Sequence, residues 1–156
     1  MLRCVVRTGS SRSLEARGPL LAIVVQAGAP ATAHSDEAEN FTATMLIDTG
    51  ADCTMLDERV LGAFGVAAVR KTLIGGITGR PEARLVYRMD LLVRMLDEAG
   101  ALHEIVTRQD IVGMHLRPER EAGFGLLGRD YLVGMRFVYD GPRGAFALLT
   151  ERAERG

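Results

Sequence analysis

Met45-Leu46-Ile47-Asp48-Thr49-Gly50-Ala51-Asp52 is the stretch on which the reading of this chain turns. An apolar run ends in a carboxylate, and a hydroxyl, a glycine and a small residue follow directly. The run reads as a buried strand, and Asp48-Thr49-Gly50 as a tight turn leaving its end. A carboxylate held this way is presented for acid or base work. The chain holds only one such segment and no internal repeat. Chemistry that needs two of these carboxylates would therefore need two chains.

Outward from that turn the chain reads as mostly strand. Leu20 to Gln26 is a β-branched apolar run and reads as a buried strand, and Phe41 to Ile47 as the strand that enters the turn. Between them, Gly28 to Asn40 is a loop rich in Ala, Pro, Ser, Asp and Glu. Downstream, Leu56 to Phe64 reads as a short helix or turn. Thr72 to Pro81 carries Gly75, Gly76 and Gly79 between apolar residues and reads as a hairpin tip. Leu85, Tyr87, Met89, Leu91, Val93 and Met95 alternate with Arg84, Arg88, Asp90 and Arg94, the period of a strand. Val86 and Leu92 break the alternation, so both faces of that strand are expected to be partly covered. Leu102 to Ile111 returns as its partner after an Asp97-Glu98-Ala99-Gly100 turn. Residues 114–123 read as a charged loop and Arg129 to Val133 as a single short helix. A final hairpin joins Arg136 to Tyr139 with Ala145 to Leu149. Closely spaced strands with turns between them predict a compact all-β barrel. Residues 8–18 are small and polar and read as a mobile leader or weak edge. The expected organisation is a leader at 1–18, one domain at 19–150 and a tail at 151–156.

Composition narrows the function classes. At 156 residues with 47% hydrophobic and 25% charged residues, the chain has the make-up of one ordinary globular domain. A net charge of −1 gives no electrostatic footprint for nucleic acid or a membrane surface. No segment approaches the roughly 18 apolar residues of a membrane helix, and the N-terminal apolar run is too short for a signal peptide. Cys4 and Cys53 do not make a disulfide framework and are expected as free thiols in a reducing, cytoplasmic setting. Lys71 is the only lysine. That arginine bias, with the abundant Ala and Gly, is the codon signature of a GC-rich genome and points to a bacterial source.

Three ordered segments carry a resemblance. Leu46-Ile47-Asp48-Thr49-Gly50-Ala51-Asp52-Cys53-Thr54-Met55-Leu56 resembles the catalytic segment of the retropepsins, the retroviral-type aspartic proteases. Leu73-Ile74-Gly75-Gly76-Ile77-Thr78-Gly79 resembles their glycine-rich flap, and Leu126-Leu127-Gly128-Arg129-Asp130 their apolar-apolar-Gly-Arg-Asp/Asn segment. The resemblance spans about residues 19 to 150. It implies a single-lobe acid-protease barrel with one short helix, active as a homodimer.

In such an enzyme two carboxylates share one proton. At about 3 Å and an effective dielectric near 20, charging both costs about 5 kcal/mol, so one stays protonated while the other is ionised. The resemblance implies that Asp48 is the catalytic acid/base, facing Asp48 of the second chain. Thr49 would bond across the two-fold axis near the partner's Ile47 and Thr49. Gly50 would accept hydrogen bonds from the substrate backbone and allow its close approach. Ala51, Asp52 and Cys53 would line the peptide site, with Asp52 positioning the peptide. Ile74, Gly75, Gly76 and Ile77 would form a flap that closes over it. Arg129 would pair with Asp52 to brace the loop, next to Gly128. Ala51 stands where a serine could hydrogen-bond the ionised carboxylate and favour it, so the expected working pH is mildly acidic to near neutral. The implied partners are a peptide or protein substrate and a second copy of the chain; no metal or organic cofactor is implied.

The chain departs from the viral pattern in three places. Gly28 to Asn40 is a longer insertion, Cys53 replaces a second acidic residue, and a hairpin follows the short helix. A rival reading keeps the fold as a dimeric peptide-binding or assembly module that cleaves slowly or not at all. A third has the enzyme latent until residues 1–18 are removed. Other chemistries lack their spacing. His34, His103 and His115 do not form a metal-ligand pattern, no Gly-x-Ser-x-Gly elbow exists, and no histidine is placed to activate Cys53. The glycines of the hairpin match no phosphate-loop spacing.

Overall fold

The apolar alternations expected from the sequence assemble into one continuous sheet that closes on itself. The structure is a computed structural model and describes residues 1–7, 10–27, 40–75, 79–115 and 123–151. In chain order its elements are β1 (Leu2–Arg7), α1 (Ser11–Arg17), β2 (Leu20–Ala27), β3 (Asn40–Ile47), β4 (Met55–Asp57), α2 (Glu58–Ala63) and β5 (Arg70–Ile74). There follow β6 (Glu82–Leu96), β7 (Leu102–Met114), β8 (Phe124–Leu127), α3 (Arg129–Leu132), β9 (Arg136–Asp140) and β10 (Ala145–Thr150). Strands β2-β3-β8-β4-β7-β6 run side by side, and β6 pairs back onto β2, which makes a closed six-stranded barrel. Closure leaves no edge within the ring. Its filling comes from alternate inward residues, among them Ile23, Val25, Met45, Leu56, Met89, Leu91, Ile111 and Leu127, all buried.

Two pairings in the ring are parallel, β3 with β8 and β4 with β7. They matter for the site because parallel neighbours end at the same rim. Ile47 is level with Leu127, so the turn after β3 and the helix after β8 leave the barrel together.

The long pair β6–β7 keeps one register from Val86↔Val112 to Leu96↔Leu102. Along its other edge β6 meets β5, then β2, then β1. A strand passing from hairpin through barrel to terminal sheet changes surroundings along its length, so Val86 and Leu92 are buried despite interrupting the alternation.

The sequence reading differs from the structure in three respects. Three short helices are present among the described residues, not one. β8 is a strand where only a lead-in to a helix is expected. Third, Ser11–Arg17, read as part of a mobile leader or weak edge, is a helix capped by the Ser10 hydroxyl and closed by Gly18 at φ 75°. The reason is Leu14: one apolar side chain, 1% exposed, anchors an otherwise polar turn of helix in the core. β1 before it pairs with β10 along its whole length, from Leu2↔Thr150 to Arg7↔Ala145. Gly76 and Ile77 of the expected flap, most of the expected Gly28 to Asn40 loop and most of the expected loop at 114–123 lie outside the described residues. No helix among the described residues is long and apolar enough to cross a membrane.

Candidate active site

Asp48 is the first residue beyond β3, and its loop is stitched to the neighbouring rim by the main chain. The Asp48 N–H donates to Leu127 O at 3.0 Å, and the Arg129 N–H donates to Ala51 O at 2.9 Å. The parallel neighbours β3 and β8 thus continue their bonding past their ends, and the loop between Asp48 and Ala51 is held at both sides. Within the turn the Gly50 N–H donates to Asp48 Oδ1 at 2.9 Å. That bond orients the carboxylate, which is half-buried, while Thr49 and Gly50 are exposed. Gly50 does not take a positive φ. A Cβ there would stand 3.1 Å from Asp48 Oδ1, a tight approach that a side chain could make only by shifting the carboxylate.

The brace expected from the sequence is present: the Arg129 guanidinium pairs with Asp52. Both side chains are largely exposed, 60% and 80%, so this pair orders the loop more than it stabilises the fold. The stronger support is one the sequence reading did not assign. Thr54 is fully buried, and Asp130 receives its N–H at 3.0 Å and its hydroxyl at 2.8 Å. Gln109 Nε2 donates to the same carboxylate at 2.8 Å, and the Gly128 N–H donates to Thr54 Oγ1 at 3.2 Å. A carboxylate that accepts several donors at once is a rigid joint. Here it ties the loop after Asp48, the start of α3 and strand β7 into one unit. Gly128 completes the contact: a Cβ on it would fall 2.4 Å from the Cys53 carbonyl carbon.

Cys53 is half-buried and is a free thiol, as is Cys4. Burial pushes the Cys53 thiol up and the Asp130 charge adds to this, against a smaller opposing effect of Arg70. It therefore stays protonated near neutral pH and is a poor nucleophile. Arg70 lies level with Val86, Val86 with Val112 and Val112 with Met55, so the base of the β5–β6 hairpin is in register with the end of the loop that carries Asp48. Ile74 closes β5 opposite Glu82, half-buried, with Gly75 exposed after it. Ala51 is half-buried and Asp52 exposed.

The structure therefore gathers Asp48, Thr49, Gly50, Ala51, Asp52 and Cys53 with Gly128 and Arg129 at one rim, while Ile74 and Gly75 lie at the end of β5 away from Arg70. Among the described residues, no three His, Cys, Asp or Glu side chains converge as a metal site. Thr54, Gln109 and Asp130 are the members missed. Asp130 follows the quoted Gly128-Arg129 pair and was the one signal available. No protein-family model and no curated protein matches this chain.

Proposed function

We propose that the chain is one half of a retropepsin-like aspartic endopeptidase. The observation that carries this reading is a single half-buried carboxylate, Asp48, held by a braced Asp-Thr-Gly turn at the rim where two parallel strands end. The joint at Asp130 supports it, because a carboxylate that must meet its twin at about 3 Å needs a loop that does not give. In this reading two Asp48 carboxylates share one proton. The ionised one takes a proton from a water lying between them, the water attacks the scissile carbonyl, and the protonated one donates to it. Collapse of the tetrahedral intermediate passes the proton to the leaving nitrogen. The β5–β6 hairpin covers an extended peptide, whose alternate side chains enter opposite pockets. The free thiols Cys4 and Cys53 suit a reducing cytoplasm.

Asp48→Asn tests the reading. A diverse peptide pool incubated with wild type between pH 4 and 7.5, at a concentration that favours dimers, is expected to show cuts mapped by mass spectrometry. The variant is expected to lose them by more than about a thousandfold. Equal cleavage by both would remove Asp48 from the chemistry. No cleavage by a dimeric wild type that still retains peptide would favour a binding or assembly module.

A further inference from the structure

One face of the β5–β6 hairpin can be followed residue by residue to the end of the loop that carries Asp48. Alternate residues of a strand share a face, and so do residues opposite each other in a ladder. On β5 the face that bears Ile74 also bears Thr72 and Arg70. Arg70 lies opposite Val86, Val86 opposite Val112, and Val112 opposite Met55, the first residue of β4 after that loop. Val86 and Val112 are buried and Met55 is half-buried, so the row has an apolar floor. Arg70 stands at its hairpin end with its side chain half exposed.

The charge on this face does not cancel. Farther along β6 and β7 the cross-strand ion pairs are one to one, Asp90 with Arg108 and Arg94 with Glu104. Asp110 instead serves two guanidiniums. Arg88 Nε donates to Asp110 Oδ1 at 2.9 Å, whereas Arg70 Nη2 reaches Oδ2 only at 3.4 Å. Arg88 is the main cause that holds the Asp110 carboxyl below the ordinary carboxylate range, and Arg70 a lesser one. Among the described residues neither arginine has a second carboxylate. Two cations on one anion leave an excess of one positive charge, and the more loosely held of the two is Arg70. The Asp48 loop does not offset it. Its half-buried Cys53 thiol, on which Arg70 acts electrostatically, stays protonated, and its Asp52 is taken by Arg129. A guanidinium beside an apolar floor is partly withdrawn from water, and there a carboxylate gains more from it than at an open surface.

We infer that Arg70 selects an acidic side chain of the bound peptide, so that the substrates of this chain carry Asp or Glu at a fixed position relative to the bond cut. The inference rests on the endopeptidase reading, in which the peptide lies between the Asp48 turn and the hairpin face that bears Ile74, and with it Arg70. An extended peptide presents alternate side chains to such a face. A carboxylate among them accepts the Arg70 fork while Arg88 keeps Asp110. A basic side chain at the same position meets the excess positive charge, so the discrimination has a repulsive part as well.

A peptide library randomised at every position tests this. Cuts made by wild type, mapped by mass spectrometry and aligned on the broken bond, are expected to favour Asp and Glu over Lys and Arg by about fivefold or more at one offset. Arg70→Glu is expected to invert the preference at that offset, Arg70→Gln to erase it and Arg70→Lys to keep it. A wild-type profile with no charge preference at any offset overturns the inference, as does a preference that Arg70→Glu leaves unchanged; Asp48-dependent cuts would in either case keep the enzyme reading. If Arg70→Glu does not fold, Arg70→Gln decides by the same comparison. Should wild type make no Asp48-dependent cuts, the enzyme reading falls and retention decides. The same library is then passed over immobilised wild type and Arg70→Glu. Retained peptides enriched in Asp and Glu on wild type alone would uphold Arg70 as the selecting group, and no difference between the two overturns it.

Discussion

A carboxylate that works must be held by groups that do not move with it, and here those groups are Thr54, Gln109 and Asp130. Asp130→Ala removes the acceptor of four hydrogen bonds and leaves the buried Thr54 N–H and hydroxyl proton without their acceptor. An expected loss of about 3 kcal/mol follows, read from urea unfolding; a loss under about 0.5 kcal/mol would show that the joint carries no load. The Asp48-Thr49-Gly50 turn was legible from sequence because its parts are consecutive and need no partner elsewhere to be recognised. The joint was not. Thr54 and Asp130 meet because β4 and β8 pair antiparallel, which sets the start of one beside the end of the other, and neither residue's neighbours announce the other. At Gly50 the constraint is one the sequence does not disclose, the tight approach of a Cβ to Asp48 Oδ1 and not a left-handed backbone.

Among the elements, the longer apolar runs bounded by turn signals were the readable ones. β2, β3, β6, β7, β9 and β10 all lie within a few residues of where the sequence reading puts them. β8 is four residues long, a phenylalanine and a glycine before two leucines, too short to show a period. Gly125 has a structural reason that the sequence could not disclose, for a Cβ there would strike Met45 and the backbone of Met55. The helix α1 was missed despite its serine cap and terminal glycine, because small polar residues dominate the segment. Its standing as an integral element is open to test. Leu14→Ala opens a cavity in the core and is expected to cost about 3 kcal/mol by thermal or chemical denaturation. A variant as stable as wild type would return residues 11–17 to the status of an appendage.

On the scale of the whole molecule, acid stability follows from carboxylates held in ionised form. Burial alone would push the Asp57 carboxyl up. The Arg59 side chain, with Nη2 at 2.6 Å, and the Arg59 backbone N–H at 3.0 Å outweigh it and bring it below the ordinary range. His103 lowers Asp97, and Arg88 lowers Asp110. Each group binds its proton more readily in the unfolded chain, so its contribution is complete above about pH 4 and is lost as pH falls through the lower folded values. The midpoint of thermal unfolding is accordingly expected not to fall between pH 7 and 5 and to drop steadily below about pH 4; a decline beginning above pH 5 would implicate other groups. One last consequence belongs to time and not to energy. Leu2 pairs with Thr150, so the segment synthesised first waits for nearly the last one described. During synthesis the ring of six strands can close before β10 has left the ribosome, while β1 and the β9 edge still lack their common neighbour. A growing chain would thus own its Asp48 turn before the β1–β10–β9 arm of the sheet is assembled.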